Sequence, residues 1–183
     1  MRWDRLFLDL EHRFDREAEL ERAAEADDEA RARSVAVSIA DRWAASGGGV
    51  LRTRGGATMR LLVDAVGADW IAGRDTAAAA RLLIPTTAIE WMRPDPIVHE
   101  GSGAAPARRD RIRFAHALRE LARRRSTIEL SLVNDRPTGT IDRVADDHLD
   151  LAVHPVEEPR RAAAVTAVWV VPLASIDRLR WWG

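Results

Sequence analysis

Apolar positions change their period in an orderly way along the chain, and the changes predict its elements. Trp3, Leu6, Phe7, Leu10 and Phe14 fall at helical spacing, and the stretch 16–33 is rich in Glu, Ala and Arg without Gly or Pro. This predicts an N-terminal helical arm over residues 1–34. Ile39, Ala40 and Trp43 then give the inner side of a short helix, stopped by Ser46-Gly47-Gly48-Gly49. Strands are predicted at 50–54, 59–66, 69–72, 81–84 and 89–92. Gly55-Gly56 is the first hairpin turn, Gly67 a bend, and Pro85-Thr86-Thr87 a sharp corner. After a Pro- and Gly-rich linker, Phe114, Leu118, Leu121 and Ala122 return to helical spacing, while Ile128, Leu130 and Leu132 alternate with polar residues as a half-buried strand. Asn134-Asp135-Arg136-Pro137 is the next hairpin turn. Further strands are predicted at 138–144, 148–154, 163–171 and 176–182, with Pro172-Leu173-Ala174-Ser175 as a second corner.

The plan is stated twice. Val66-Gly67-Ala68-Asp69-Trp70 and the later Leu83-Ile84-Pro85-Thr86-Thr87-Ala88-Ile89-Glu90 recur as Val144-Ala145-Asp146-Asp147-His148 and Val170-Val171-Pro172-Leu173-Ala174-Ser175-Ile176-Asp177. The offset is 78 at the Asp69/Asp147 position and 87 at the prolines, and a longer loop around 156–161 absorbs the difference. Two small β units follow: an arm at 1–34, a first unit at 35–93, a linker at 94–107 and a second unit at 108–183.

Composition narrows the setting. The chain has 183 residues, 46% of them hydrophobic, and a formal net charge of −1. That suffices for two small domains. It has no cysteine, which excludes disulfides, thiolate nucleophiles and the usual structural zinc sites. With no apolar run of membrane-spanning length and no signal-peptide pattern at the start, a cytoplasmic protein without membrane contact is expected. Charge is unevenly placed: ten carboxylates and three arginines occupy 9–29, whereas eight arginines and two acids occupy 108–125. The second stretch, read as one helix, is a phosphate-attracting surface that the acidic arm could also cover.

Gly139-Thr140-Ile141-Asp142-Arg143-Val144, followed by Asp146-Asp147-His148-Leu149-Asp150-Leu151, resembles the first signature of the Sm-like (LSm/Hfq-type) family. Val171-Pro172-Leu173-Ala174-Ser175-Ile176 is similar to its second signature. The resemblance covers about two thirds of the chain and implies a mainly β fold with helices: two tandem Sm-like, SH3-like small barrels, each with a lead-in helix. It also implies RNA binding and assembly into homo-oligomers through free sheet edges. By that resemblance the base-stacking position falls on Trp70 and His148. The amide that would read the base is replaced by Ala72 and Asp150, and Leu61 stands where the signature has glycine.

The expected nucleic-acid site is therefore Trp70 and His148 with Arg108, Arg109, Arg111, Arg113, Arg123, Arg124 and Arg125. The alternative is a protein-interaction or assembly module, in which Trp181 and Trp182 anchor a partner. Asp69 and Asp147 read as turn-holding carboxylates. No catalytic motif is found, no cofactor is implied, and the protein is expected not to be an enzyme. His148 and His154, six apart on one predicted strand, form the one pair open to a metal, and no metal site is assigned.

Overall fold

The computed structural model describes residues 37–96, 106–157 and 160–182. The first helix, α1 (Ile39–Ser46), leads into β1 (Gly48–Thr53), β2 (Thr58–Gly67), β3 (Trp70–Asp75), β4 (Ala80–Pro85) and β5 (Ile89–Pro94). A three-residue strand, β6 (Ala107–Arg109), precedes α2 (Phe114–Arg123). Then come β7 (Thr127–Ser131), β8 (Thr138–Val144), β9 (His148–Val153), β10 (Ala167–Pro172) and β11 (Arg178–Trp181). The fold is mainly β. One sheet runs in the order β10-β9-β8-β7-β11-β4-β3-β2-β1-β5, every neighbouring pair antiparallel, and β6 pairs parallel with β2 off this path. The sheet is open, with β10 and β5 as its ends.

Strand pairing within β1–β5 recurs within β7–β11. Gly49 faces Leu61 as Ile128 faces Gly139, Leu61 faces Asp75 as Gly139 faces Val153, and Trp70 faces Pro85 as His148 faces Pro172. Leu51 faces Met92 as Leu130 faces Leu179. Even the irregularity recurs: the ladder slips between Val63 and Ala65 and again between Ile141 and Arg143, leaving Asp64 and Asp142 as the extra residues of two β-bulges. Such a bulge bends its strand and raises the twist, so both sets curl at the same place. Each fourth strand ends in proline and a three-residue 3-10 turn, Thr86–Ala88 or Leu173–Ser175, before the fifth. The fixed φ of Pro85 and Pro172 suits that corner.

Apolar residues fall into two clusters. Trp43 of α1 packs with Leu51, Leu61, Val66, Ile71 and Ile84. The other cluster collects Phe114 and Leu118 of α2 with Ile128, Leu130, Leu149, Leu151 and Leu179, and it also takes in Trp70 and Leu83 from the first set of strands. Residues Ile39–Gly183 form one compact unit. The predicted arm over 1–34 and most of the predicted linker lie outside the described residues.

Several expectations are corrected. The stretch 108–125 is not one helix: Arg108 and Arg109 belong to β6, Arg111 lies in the connecting turn, and Arg113 is the extended N-cap with φ −82° and ψ 159°. Helical spacing of apolar residues begins only at Phe114, whose N–H is held by the Asp69 carboxylate at 2.6 Å. The third strand runs on to Asp75, past Gly73, where a Cβ would collide with the Leu62 carbonyl of β2. β10 begins at Ala167 rather than 163, and β11 at Arg178 rather than 176, because Ile176 still closes the 3-10 corner.

Candidate functional site

The seam between β4 and β11 joins the two sets of strands. Leu179 lies opposite Leu83, Arg180 opposite Leu82 and Trp181 opposite Arg81. Leu82, Leu83 and Leu179 are all buried. Burying a leucine fully is worth about 1.5–3 kcal/mol, so these side chains alone make the seam substantial. Asp177, just before β11, reaches across it. Its carboxylate accepts from the Thr53 hydroxyl at 2.7 Å and the Gly55 N–H at 2.8 Å, and Arg178 donates to it at 3.0 Å. Across β4, at the same Pro85 end, Asp69 accepts from Phe114 N and the Trp70 indole donates to the Ile112 carbonyl at 2.9 Å. Two shallow cavities flank the seam, about 290 Å³ beside Gly55 and Asp177 and about 200 Å³ beside Asp69, Arg113 and Asp146.

The same positions in the second set have no covering strand among the described residues. Register places Leu82 and Leu83 of β4 where β10 carries Trp169 and Val170. Leu82 and Leu83 are 4% and 3% exposed, whereas Trp169 and Val170 are 37% and 65% exposed. Val168 is also exposed, so Ala167 to Val171 is an uncharged apolar edge whose outer backbone groups pair with no strand among the described residues. Asp69 and Trp70, both bonded at the seam, correspond to Asp147 and His148, which lie at the surface.

Trp70 is corrected as a base platform. It is 4% exposed, sits in the shared core and has its indole N–H occupied, so neither ring face is open to a base. His148 is partly accessible, but its Nδ1 is 2.6 Å from Asp147 and its Nε2 is 3.5 Å from an Arg143 nitrogen. The His148 hydrogen bond and charge hold the Asp147 carboxyl below the ordinary aspartate range. Arg143 donates to Asp150 at 2.8 Å, and the other Asp150 oxygen is buried without a partner among the described residues. A carboxylate committed to an arginine cannot supply the donor of an amide at that place. His154 is buried, with its ring nitrogens on Thr140 and the Pro155 carbonyl, so it does not join His148. No metal-binding group of three or more His, Cys, Asp or Glu residues occurs among the described residues.

The arginines predicted as one surface divide into two groups. Arg108 pairs with Asp41 at 2.7 Å and with Asp110 at 3.1 Å, and these acids, Asp41 first, push its pKa up. Arg123 and Arg124 both pair with Glu120, whose carboxyl is held low by the Arg124 hydrogen bond and the Arg123 charge. Arg119 reaches Asp146 at 3.3 Å. Arg109, Arg111 and Arg113 are exposed and make no ion pair among the described residues, as is Arg125, which sits at φ +51°. The structure thus brings together only Arg109, Arg111 and Arg113, beside the start of α2. Arg123–Arg125 lie at the far end of that helix.

Sequence reasoning singled out neither Asp177 nor Trp169. The signal for Asp177 was an acid between Ile176 and the final strand, flanked by corner residues; for Trp169 it was a tryptophan in an otherwise aliphatic run. Comparison with family models, with curated proteins and with solved structures finds no match. No helix among the described residues is long and apolar enough to cross a membrane.

Proposed function

We propose that this chain is a protein-interaction module built from two tandem Sm-like small barrels, 35–93 and 108–183, that binds partners by adding strands to its open sheet. The observation that carries the reading is the contrast between β4 and β10: two strands at equivalent register, one buried under β11 and the other bare. A bare apolar edge offers main-chain hydrogen bonds for affinity and alternate side-chain pockets for specificity. The recurring registers, bulges and proline corners support the tandem architecture. The reading involves no catalytic step and no cofactor.

The test uses a synthetic peptide copying residues 176–182, the segment that already completes an edge in this chain. Amide exchange in β10 is followed as peptide is added to the intact protein. Slowing of the β10 amides that point away from β9 is expected; exchange that stays unchanged at saturating peptide defeats the reading. A second reading, RNA binding, draws on Arg109, Arg111 and Arg113, which are exposed and unpaired among the described residues. Replacing all three with serine then lowers affinity for single-stranded RNA and flattens its salt dependence. Affinity unaffected by that change removes it.

A further inference from the structure

We propose that the sheet face across β2, β3, β4 and β11 is a docking surface for an acidic peptide. Arg74 and Arg81 take its carboxylates, and Leu62 and Trp181, one on either side of them, take the apolar residues next to those carboxylates. This surface is separate from the β10 edge, and the inference does not rest on that edge being occupied.

The register sets four side chains in one row. Leu62 lies opposite Arg74, Arg74 opposite Arg81, and Arg81 opposite Trp181. Directly opposed residues of an antiparallel ladder share a face, and with strands about 4.8 Å apart the row is about 14 Å long. Leu62, Arg74 and Arg81 are exposed and Trp181 is half-buried. Two arginines therefore stand face to face at the centre of the row, an arrangement that destabilises a sheet. Little on the protein relieves it. Arg81 makes no ion pair or hydrogen bond among the described residues, and Arg74 only approaches Asp64, at 3.7 Å. The cation–ring contact among the described residues is Arg180 over Trp182, so Arg81 is not committed to the Trp181 ring.

The fold does not require these charges. Leu61 faces Asp75 as Gly139 faces Val153, so the Arg74–Arg81 rung corresponds to the Ala152–Val168 rung of the second set. That set makes the same bulge and the same corner with two uncharged residues. An anion laid across Arg74 and Arg81 removes a repulsion that the sheet otherwise carries.

The surroundings select a peptide. A guanidinium binds a carboxylate through two parallel hydrogen bonds, a geometry that both arginines can offer from the exposed face. Asp64 lies beside Arg74, and Arg60, two residues before Leu62 on β2, is held by Asp95 at 2.7 Å. Carboxylates so close to the row repel a continuous polyanion such as RNA, whereas a peptide carries separate charges and sets uncharged residues between them. Leu62, 40% exposed, offers an aliphatic surface for one of those residues. Trp181 closes the row from the last strand, so the surface exists only where the two sets of strands meet.

The test uses the full-length protein and a blocked, dye-labelled octapeptide of alternating glutamate and leucine, with binding read by fluorescence anisotropy at low salt. Binding that weakens as salt rises is expected. Arg74→Gln and Arg81→Gln should each lower the affinity about fivefold, while Arg136→Gln, an exposed arginine beyond the other end of β7, should bind as the parent does. Arg81→Gln should also unfold at no lower urea concentration than the parent, which separates lost binding from lost folding. Several results overturn the proposal: no binding at low salt, parent-like binding by both Arg74→Gln and Arg81→Gln, an equal loss in Arg136→Gln, or a loss of stability in Arg81→Gln. Oligouridine that displaces the labelled peptide at a lower concentration than unlabelled peptide does overturns it as well, because the face then reads RNA. Binding that survives both variants and slows the β10 amides puts the peptide on the edge, which overturns this proposal and leaves the edge reading standing.

Discussion

Replacing Asp177 with alanine removes the carboxylate that, among the described residues, ties the last strand to the first hairpin. Asp177 is 5% exposed and receives the Thr53 hydroxyl and the Gly55 N–H across the seam. Hydrogen bonds to a charged group are each worth about 1.5–3 kcal/mol, and the carboxylate's own burial cost, relieved in the variant, offsets part of the loss, leaving about 3 kcal/mol. For a chain of this size that corresponds to a fall in Tm of about 6–12 °C. Asp177→Asn keeps an acceptor for Gly55 but turns a donor toward Arg178 or Thr53, and should fall between parent and alanine variant. Glu90→Ala is the internal control: it removes the equivalent acid, half-exposed and bonded to a half-exposed Arg52, and should cost about 0–1 kcal/mol. The assay is urea unfolding followed by tryptophan fluorescence, with m held common to the four proteins. An Asp177→Ala protein within about 1 kcal/mol of the parent, or no less stable than Glu90→Ala, refutes the assignment of the lock.

Other consequences are open to measurement. Gly139→Ala places a Cβ against the Ala152 carbonyl of the neighbouring strand, and overpacking of that kind should cost about 1–3 kcal/mol or more in the same urea assay; a neutral change contradicts the β8–β9 register. Trp70→Phe removes the indole N–H bond while Ile112 O keeps its bond from Ala68 N, so a loss of about 0.5–1.5 kcal/mol is expected; affinity for RNA that drops while the fold is intact would restore Trp70 as a ligand contact. The Asp147 carboxyl should titrate by NMR below the ordinary aspartate value and return to it in His148→Ala. Because the folded value is the lower one, the pair's contribution is present above the unfolded-state pKa and is lost as pH falls through the folded one. A midpoint that does not move in His148→Ala removes His148 as the cause.

Much of the local structure was legible because single residues dictate backbone. Gly56 at φ +84° turns the first hairpin, Gly47 at φ +68° stops α1, and Pro85 and Pro172 set the two corners. Recurrence of the two strand sets was legible for the same reason, since corners and turns recur. What escaped was decided by tertiary neighbours. Asp64 and Asp142 read as ordinary outward positions of alternating strands, and nothing in their identity marks a bulge. The β6 residues Ala107, Arg108 and Arg109 carry no apolar period, and joined to the arginines that follow they looked helical. Trp70 and His148 looked interchangeable, yet one is core and the other surface, because α2 follows the first set and covers Asp69 and Trp70. Likewise β4 and β10 are similarly apolar strings, and only the chain's own last strand, returning to one of them, makes the first interior and leaves the second bare.

The two strands of the internal seam, β4 and β11, belong to one polypeptide. Covalent continuity holds two such strands at an effective concentration of about millimolar or more, whatever the amount of protein in solution. Dilution therefore cannot part the two strands that meet there.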